Sequence, residues 1–241
     1  MSIETLKEII KKSNNIVFFG GAGVSTESNI PDFRSENGLY KTKNNISYAP
    51  ETMLSHSFFK RHTEEFYDFY KKKMIYKDAL PNNAHYVLTE LENKGKLKAI
   101  ITQNIDGLHQ ISGSKNVLEL HGSIHRNYCM GCHKHFDLEY IINSISIVPK
   151  CDECGDIIKP DVVLYEEPLD MDVINKAVNY VSDADVLIIG GTSLVVYPAA
   201  NLVNYYKGNK LVLVNKSTTP YDNKANLIIN DSIGKVMKSI P

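Results

Sequence analysis

The sequence has no long hydrophobic run and no excess of charge of either sign. No apolar stretch among its 241 residues approaches the ~18 residues of a membrane-spanning helix. Its 27 Lys and Arg residues balance 28 Asp and Glu residues, for a net charge of −1, so no global basic field exists to hold nucleic acid or an anionic membrane. We therefore expect no membrane and no nucleic acid as a direct partner.

Cysteine is also scarce, and the four cysteines form two CxxC pairs, Cys129 with Cys132 and Cys151 with Cys154, separated by 18 residues. This spacing is typical of a four-thiolate zinc site. The alternatives are two disulfides or a thioredoxin-like redox pair, but neither CxxC pair opens a helix after a strand. Because four thiolates leave no open coordination position, we expect one structural zinc ion and a reaction centre elsewhere.

Length and composition suit a globular chain, since 43% of the 241 residues are hydrophobic and can bury a full core. Residues 1–15 mix charged and apolar residues in the pattern of an amphipathic helix and not of a secretory signal. With every thiol assigned to metal, the cysteine content fits a reducing interior. A cytoplasmic location is expected.

Four short apolar runs predict buried parallel strands, because they are rich in β-branched and aromatic residues and lack polar alternation. They lie at 16–19, 97–102, 186–189 and 211–214, and segments with helical periodicity lie before or between them, at 83–93, 172–181 and 198–206. Strand and helix in alternation indicate an α/β fold with a doubly wound parallel sheet. We also expect a strand at 226–230 and a short closing helix at 233–240.

Two stretches do not follow this alternation. Residues 35–80 are rich in Tyr, Phe and Lys, have a helical pattern around 57–74, and are interpreted as a lid. Residues 125–159 carry the cysteines and are too few to build a core of their own, so zinc would hold them together.

Glycines follow the first predicted strand, at Gly20, Gly21 and Gly23. Such a turn lets the backbone approach a phosphate closely, although it lacks the third glycine of GxGxxG and by itself is equally compatible with an ordinary strand-to-helix turn. Its polar continuation to Arg34 includes Phe33, and an aromatic ring with a guanidinium could cover a ribose and a pyrophosphate.

Polar residues also follow the other predicted strands, at the edge where α/β proteins bind ligands. Asn104 and Asp106 could face one pocket together, although both are also common turn residues. His121 lies at the junction with the cysteine segment, a common place for a cleft, although a lone histidine is more often structural than a base. The glycines and hydroxyls of 190–193 could bind phosphate. Asn215 could hold a ribose hydroxyl and is equally compatible with a turn.

These segments together resemble the sirtuin family of NAD-dependent protein deacylases, in particular the bacterial type called class U. The matching motifs occur in the family's order: GAGVSTESNIPDFR at 21–34, TQNIDGLH at 102–109, HG at 121–122, the two CxxC pairs, KPDVVLY at 159–165, GTSL at 191–194 and VN at 214–215. They reach from the first strand almost to the end of the chain.

The resemblance implies a discontinuous Rossmann-type NAD-binding domain (1–34, 81–124 and 160–241), a helical lid insertion (35–80) and a zinc-binding module (125–159). It implies NAD and one zinc ion as cofactors, acyl-lysine proteins or peptides as substrates, and nicotinamide, deacetylated lysine and O-acetyl-ADP-ribose as products. His121 would be the general base, with Asn104 and Asp106 also catalytic. The implied NAD contacts are these three residues with Ala22, Gly23, Ser25, Thr26, Asp32, Phe33, Arg34, Gln103, Ile105, Gly191, Thr192, Ser193 and Asn215, and the implied substrate contacts are Val162, Val163 and Tyr67.

The chain departs from the family pattern at three places. Asn29 stands where the family usually has glycine, and Asn is the best substitute at positive φ. Glu166 replaces a second usual glycine, beside the substrate strand. Family members that remove succinyl groups carry a Tyr-x-x-Arg pair in the lid, whereas Tyr67 is followed by Tyr70 here. The missing guanidinium predicts a preference for acetyl or longer neutral acyl groups, although Lys71 could partly compensate.

Three other functions compete with deacetylation. An ADP-ribosyltransferase would pass the same ADP-ribosyl group to another nucleophile, and the presence of His121 argues against it. A zinc-ribbon binding module would bind without turning NAD over, and the near-zero net charge weighs against it. An NAD oxidoreductase would leave nicotinamide attached.

Overall fold

The computed structural model describes residues 2–35, 38–39 and 48–240. Within them the chain forms nine strands: β1 (Ile16–Gly20), β2 (Leu97–Thr102), β3 (Val117–Glu119), β4 (Gly122–Cys129), β5 (His135–Phe136), β6 (Ile158–Val162), β7 (Val186–Gly190), β8 (Leu211–Val214) and β9 (Leu227–Ile229). The α-helices are α1 (Ser2–Lys12), α2 (Pro50–Met53), α3 (His56–Arg61), α4 (Thr63–Lys73), α5 (Asn83–Asn93), α6 (Leu108–Ile111), α7 (Leu138–Ile142), α8 (Met171–Asp183) and α9 (Ile233–Met237). Short 3₁₀ helices cover Ala22–Val24, Thr26–Ser28, Ala199–Tyr205 and Asp222–Lys224.

Six parallel strands form the main sheet, in the order β3-β2-β1-β7-β8-β9. Strands β1, β2 and β3 follow one another toward one edge of the sheet, and β7, β8 and β9 follow one another toward the other edge. The direction of the strand order therefore reverses between β1 and β7. Ligands of open α/β sheets bind at the carboxyl ends of the strands beside such a reversal. The predicted doubly wound α/β fold is confirmed.

Both faces of the main sheet are covered, which explains the continuous apolar runs. All five residues of β1 are buried; Ile16 and Phe18 point into a core with α1, α5 and α9, while Val17 and Phe19 point into a second core with α8 and the 3₁₀ helix 199–205. The four predicted strands, the strand at 226–230 and the closing helix are confirmed, and β3, which has three residues, was not predicted. The helical segment predicted at 198–206 is a 3₁₀ helix, closed by bonds such as Asn201 N to Pro198 O (3.0 Å).

A small antiparallel sheet, β5-β4-β6, lies beside the cysteines. Its residues share one apolar core with helices α2–α4, including Phe59, Phe66, Ile124 and Cys129. The predicted lid and the predicted zinc module therefore pack against each other. β6 extends to Val162 and pairs with β4, so it crosses the predicted boundary at residue 160. The domain bounds stay a prediction, and residues 36–37 and 40–47 of the predicted lid lie outside the described residues.

No helix within the described part of the chain is both long and apolar enough to cross a bilayer.

Candidate active site

A cavity of about 830 Å³ lies at the carboxyl ends of the main-sheet strands, beneath helices α2–α4 and the small sheet. This volume falls within the range of small-molecule sites, about 300–1,000 Å³. Most of the wall comes from loops that follow β1, β2, β7, β8 and β9. The rest comes from Leu54, from α4 and the residues after it, from His121, and from the end of β6 with the segment that follows. The loop residues include 21–23, 25–26, 29–35, 103–106, 191–193, 214–218 and 231–233, and the remainder include Leu54, Tyr70, Met74, Tyr76 and 162–167.

The glycine turns after β1 and β7 pack backbone against backbone at the strand reversal. Gly20 and Gly190 are paired in register, and Gly23 N donates to Gly191 O at 2.8 Å. A Cβ on Gly23 would lie 2.7 Å from Gly191 Cα, closer than real side chains approach, so only glycine fits. Because these glycines carry no side chains, a phosphate can approach the backbone of both turns closely, while the N–H groups of Gly21, Gly23 and Gly191 themselves donate to Gly190 O, Gly191 O and Val214 O.

Ser25, Asn104 and Asp106 form one directed hydrogen-bond chain in the cavity wall. Asn104 Nδ2 donates to Ser25 Oγ at 3.0 Å, and Ser25 Oγ donates to Asp106 Oδ2 at 2.6 Å. The other carboxylate oxygen of Asp106 accepts from Leu108 N at 2.9 Å. Burial raises the pKa of Asp106, and the bonds from Ser25 and Leu108 partly offset that rise.

Strand β4 supports this loop from the side of the cysteines. Ile124 N donates to Ile105 O at 3.0 Å, and His125 Nε2 donates to Asp106 O at 3.0 Å. Gly107 adopts φ +73°, and a Cβ there would meet the His125 ring at 2.7 Å. No local sequence pattern indicates His125, because the contact that brings it here joins β4 to the loop after β2.

His121 lines the cavity with a defined tautomer. Its Nδ1 lies 2.9 Å from Gln103 O, and because a carbonyl can only accept, Nδ1 carries the proton. Nε2 therefore has a lone pair available as a proton acceptor. Burial lowers the pKa of His121, so the ring is neutral at pH 7, and the bond to Gln103 opposes that shift.

Gln103, Thr192 and Asn215 connect three of the loops. Gln103 Nε2 donates to Thr192 Oγ1 at 2.9 Å, and Thr192 N donates to Asn215 Oδ1 at 2.9 Å. Asn215 lines the cavity, but its buried Nδ2 has no partner among the described residues. A buried donor without a partner is costly, so this atom is available to an acceptor on a ligand.

The loop 22–35 has the turns expected from its sequence. Asn29 has φ +63°, the left-handed conformation predicted for it, and Thr26 Oγ1 donates to Gly23 O. Asp32 accepts from the backbone N of Arg34 at 3.0 Å and of Ser35 at 2.8 Å, so it closes the turn. The predicted NAD contacts, Ala22, Phe33 and Ser193 among them, all line the cavity.

The segment after β6 reaches the cavity opposite the glycine turns. Val162 and Val163 line it, and Val163 N donates to His121 O at 3.0 Å. Buried Lys159, 4% exposed, contacts Val162 O at 3.0 Å and Glu167 Oε2 at 3.1 Å, and the same Glu167 oxygen accepts from Leu164 N. Burial alone would raise the pKa of Glu167, but bonds from His56, Leu164 and Lys159 lower it overall.

Tyr67 is not brought to the cavity with the other predicted residues. It is completely buried, and its hydroxyl donates to Ile158 O in the small sheet. Tyr70, one turn along α4, lines the cavity instead. Residues 216–218 and 231–233 also line it and were not predicted, although the rule that ligands bind after parallel strands could have found them because they follow β8 and β9.

The four cysteine sulfurs lie within 4.8 Å of one another. Cys129 and Cys154 are 3.3 Å apart and Cys132 and Cys151 are 3.6 Å apart, too far for a disulfide at about 2.05 Å. A tetrahedral ion with Zn–S bonds of about 2.3 Å would separate its sulfurs by about 3.8 Å. The four thiols are therefore positioned to bind one zinc ion, and the disulfide alternative does not fit.

The chain is similar to known proteins over almost its whole length. A model of the Sir2 family matches residues 21–198. An NAD-dependent protein deacetylase of Clostridium tetani is 74% identical over 237 residues, which are 98% of this chain and 96% of that protein. A solved Sir2 variant with a deacetylated p53 peptide and 3′-O-acetyl ADP ribose is 40% identical, with a TM-score of 0.91, over 99% of this chain and 97% of that chain. A solved complex of Sir2, p53 peptide and NAD⁺ is 40% identical, with a TM-score of 0.87, over 99% of this chain and 96% of that chain.

Proposed function

The chain belongs to the Sir2 family, and from that premise we infer that it is an NAD-dependent protein-lysine deacetylase. Its products are nicotinamide, deacetylated lysine and O-acetyl-ADP-ribose. The single observation that carries this function is the 74% identity to a protein deacetylase over 98% of the chain. We propose the roles of individual residues from the geometry of the cavity.

NAD fits the cavity, because the walls offer what a dinucleotide needs. Gly23 and Gly191 let a ligand approach the loop backbone without meeting a side chain, and the buried Asn215 Nδ2 lacks an acceptor among the described residues. We assign the NAD contacts to the loop residues Ala22, Gly23, Thr26, Asp32, Phe33, Arg34, Gln103, Gly191, Thr192, Ser193 and Asn215. When bound, NAD supplies the ADP-ribosyl group that accepts the acetyl group as nicotinamide leaves.

Ser25, Asn104, Ile105 and Asp106 would hold the nicotinamide. The carboxamide of nicotinamide carries an N–H₂ donor, and the Asp106 carboxylate is an acceptor fixed by Leu108 N and Ser25 Oγ. Because Asn104 uses its Nδ2 on Ser25, its Oδ1 is the atom left to accept a further hydrogen bond. The apolar side chain of Ile105 between them would help to exclude water.

His121 would act as the general base. Its Nδ1 proton is held by Gln103 O, so Nε2 can take the proton of a ribose hydroxyl. The lowered pKa keeps the imidazole unprotonated at neutral pH. A base anchored in this way should contribute about 10²- to 10⁴-fold to the rate.

The acyl-lysine peptide would pair as an added strand with the main chain at Val162 and Val163. Lys159 and Glu167 hold that segment from beneath through contacts with Val162 O and Leu164 N. Glu167 also contacts His56 Nδ1 at 2.8 Å, which connects the segment to α3. Because main-chain bonds do not depend on side chains, this arrangement predicts weak selection of peptide sequence.

The zinc ion would have a structural role only, because the four thiolates occupy all four positions of its tetrahedral coordination and leave none for substrate. The site would brace β4, which runs from Gly122, beside His121, to the ligand Cys129. A cytoplasmic location is proposed from the thiols, which bind zinc only when reduced.

Mass spectrometry of an acetyl-lysine peptide with the protein and NAD tests the function. We expect loss of the acetyl group with matching O-acetyl-ADP-ribose, and a drop of about 10²-fold or more in His121→Ala. His135→Ala, at an exposed position in β5, is the matched control and should keep full activity. An ADP-ribose mass on protein without deacetylation would instead indicate a transferase, and intact NAD would leave only a binding module.

A further inference from the structure

Arg126, on β4, joins two carboxylates that belong to different segments of the chain. Its Nη1 donates to Glu119 Oε2 at 2.6 Å, and its Nε donates to Asp161 Oδ2 at 2.8 Å. The Glu119 side chain is only 9% exposed, and its other oxygen accepts from Gln110 Nε2 at 2.8 Å. A carboxylate so nearly buried needs a cationic partner, because a buried charge without one is costly. One guanidinium therefore holds the two segments together.

The two segments joined by Arg126 carry the proposed base and the proposed peptide-pairing strand. Glu119 lies two residues before His121, and Asp161 lies directly before Val162. The main chains of the two segments meet where Val163 N donates to His121 O at 3.0 Å. A shift of the peptide-pairing segment would therefore change its distance from the base.

The ladder between β4 and β6 is interrupted where Arg126 lies. Gly122 and Asn127 each pair with a residue of β6, but the residues 123–126 between them lie opposite the single residue Asp161. Two of these residues contact the loop after β2 instead, which is the loop of the proposed nicotinamide pocket. Because such a bulge disrupts the regular ladder bonds, the ion pair of Arg126 with Asp161 spans the gap.

We propose that Arg126 is a positioning residue, which holds the peptide-pairing segment in place relative to His121 by acting through Asp161. The role of Arg126 rests on the proposed function, in which the acyl-lysine peptide pairs with Val162 and Val163. Arg126 itself does not line the cavity, so it touches neither substrate nor NAD. A loosely held segment would present the peptide to the base in many unproductive geometries, so Arg126 supports reaction of the peptide and not binding of NAD.

The experiment measures kcat/KM for an acetyl-lysine peptide and KM for NAD in Arg126→Met. We expect kcat/KM for the peptide to fall about 5- to 10-fold, the size of two partly exposed ion pairs, and KM for NAD to stay unchanged. Lys134→Met is the matched control. Lys134 also joins two carboxylates, those of Asp152 and Glu153, both at 2.9 Å, and it does not line the cavity. Its loss should leave both constants at their native values.

Two further variants test the route of the effect. Arg126→Lys keeps the charge but lacks the fork of a guanidinium, so it should recover part of the loss, and it replaces Arg126→Met in the comparison if thermal unfolding shows that Arg126→Met does not fold. Asp161→Asn should also lower kcat/KM for the peptide, and combined with Arg126→Met it should add less than its own separate loss, because both changes break the same contact.

Turnover by the native protein separates the two hypotheses. No acetyl-lysine turnover by the native protein would refute the proposed function, and the role of Arg126 with it. Native turnover would refute only the role of Arg126 if Arg126→Met keeps the native kcat/KM, if KM for NAD rises as much as KM for the peptide, or if the losses of Arg126→Met and Asp161→Asn are fully additive.

Discussion

A pair of buried histidines makes the fold sensitive to acid. His85 and His109 are 0% and 1% exposed, and their rings lie 4.7 Å apart. His85 Nδ1 accepts from Asn82 N, so its proton is on Nε2, which has no partner among the described residues. Both nitrogens of His109 also lack partners there. Neutral rings are tolerated at this site, but a proton added to either would be buried without an acceptor.

The loss of unfolding free energy in acid follows from the pKa shifts of His85 and His109. Burial lowers the pKa of His85 to about 4 and that of His109 well below its ordinary 6.5, with the neighbouring His85 adding to the shift. Because the folded pKa lies below the unfolded one, stability is fully present above pH 6.5 and is lost as pH falls. Between pH 7 and pH 5 His85 should cost about 2 kcal/mol of unfolding free energy, and His109 should add a loss of the same sign.

Urea unfolding at pH 7 and pH 5 measures this loss. His85→Gln is the informative variant, since glutamine also serves as the acceptor at the third position of a capping box and does not titrate. We expect its stability loss to be about 2 kcal/mol smaller than that of the native protein. Protonation of the zinc thiolates affects both proteins alike and cancels in the comparison.

His109→Phe removes the second titrating group and should also reduce the acid loss. His135→Gln, at an exposed site, is the control and should behave as the native protein does. The reasoning is refuted if the native protein, His85→Gln and His109→Phe all lose the same free energy between pH 7 and pH 5.

Three further predictions concern the metal, the substrate segment and the glycine turn. Chelation of zinc should lower the melting temperature and abolish deacetylation, with recovery on adding zinc; an unchanged melting temperature would argue against a structural ion. Glu167→Gln should raise KM for acetyl peptide roughly 10-fold with KM for NAD unchanged, because Lys159 loses its charge partner; equal shifts in both constants would contradict this. Gly23→Ala should weaken NAD binding, measured by calorimetry, at least about 10-fold, because its Cβ would collide with Gly191. Gly95→Ala is the control: its φ of +69° makes alanine strained there, so stability should fall, but Gly95 does not line the cavity and NAD binding should stay normal.

Much of the site was predictable because parallel strands place their carboxyl ends at one edge. Asn104 and Asp106 follow β2, Thr192 follows β7 and Asn215 follows β8, so the strand pattern alone predicts that these side chains meet. The cysteine spacing likewise predicts the four-sulfur cluster. Both inferences use local sequence and one general rule of topology.

Other features depend on contacts between segments far apart in the chain. Tyr67 and Tyr70 lie one turn apart on α4, and nothing local indicates which of them lines the cavity. Packing of α4 against the small sheet directs Tyr67 to Ile158 O and leaves the Tyr70 hydroxyl without a partner among the residues that the structure describes. The contact of Lys159 with Glu167 likewise requires the turn after β6.

The amino-acid sequence by itself determined the α/β fold, the family, the zinc ligands and the loops that line the cavity, because apolar runs, cysteine spacing and strand-end residues are local patterns. Only the tertiary structure decided the tautomer of His121, the direction of the hydrogen bonds from Asn104 to Asp106, and which lid tyrosine lines the cavity. The physical reason is that hydrogen-bond partners and side-chain burial are set by the neighbours that folding brings together, and for these features the partners lie 18 to 91 residues apart in the chain.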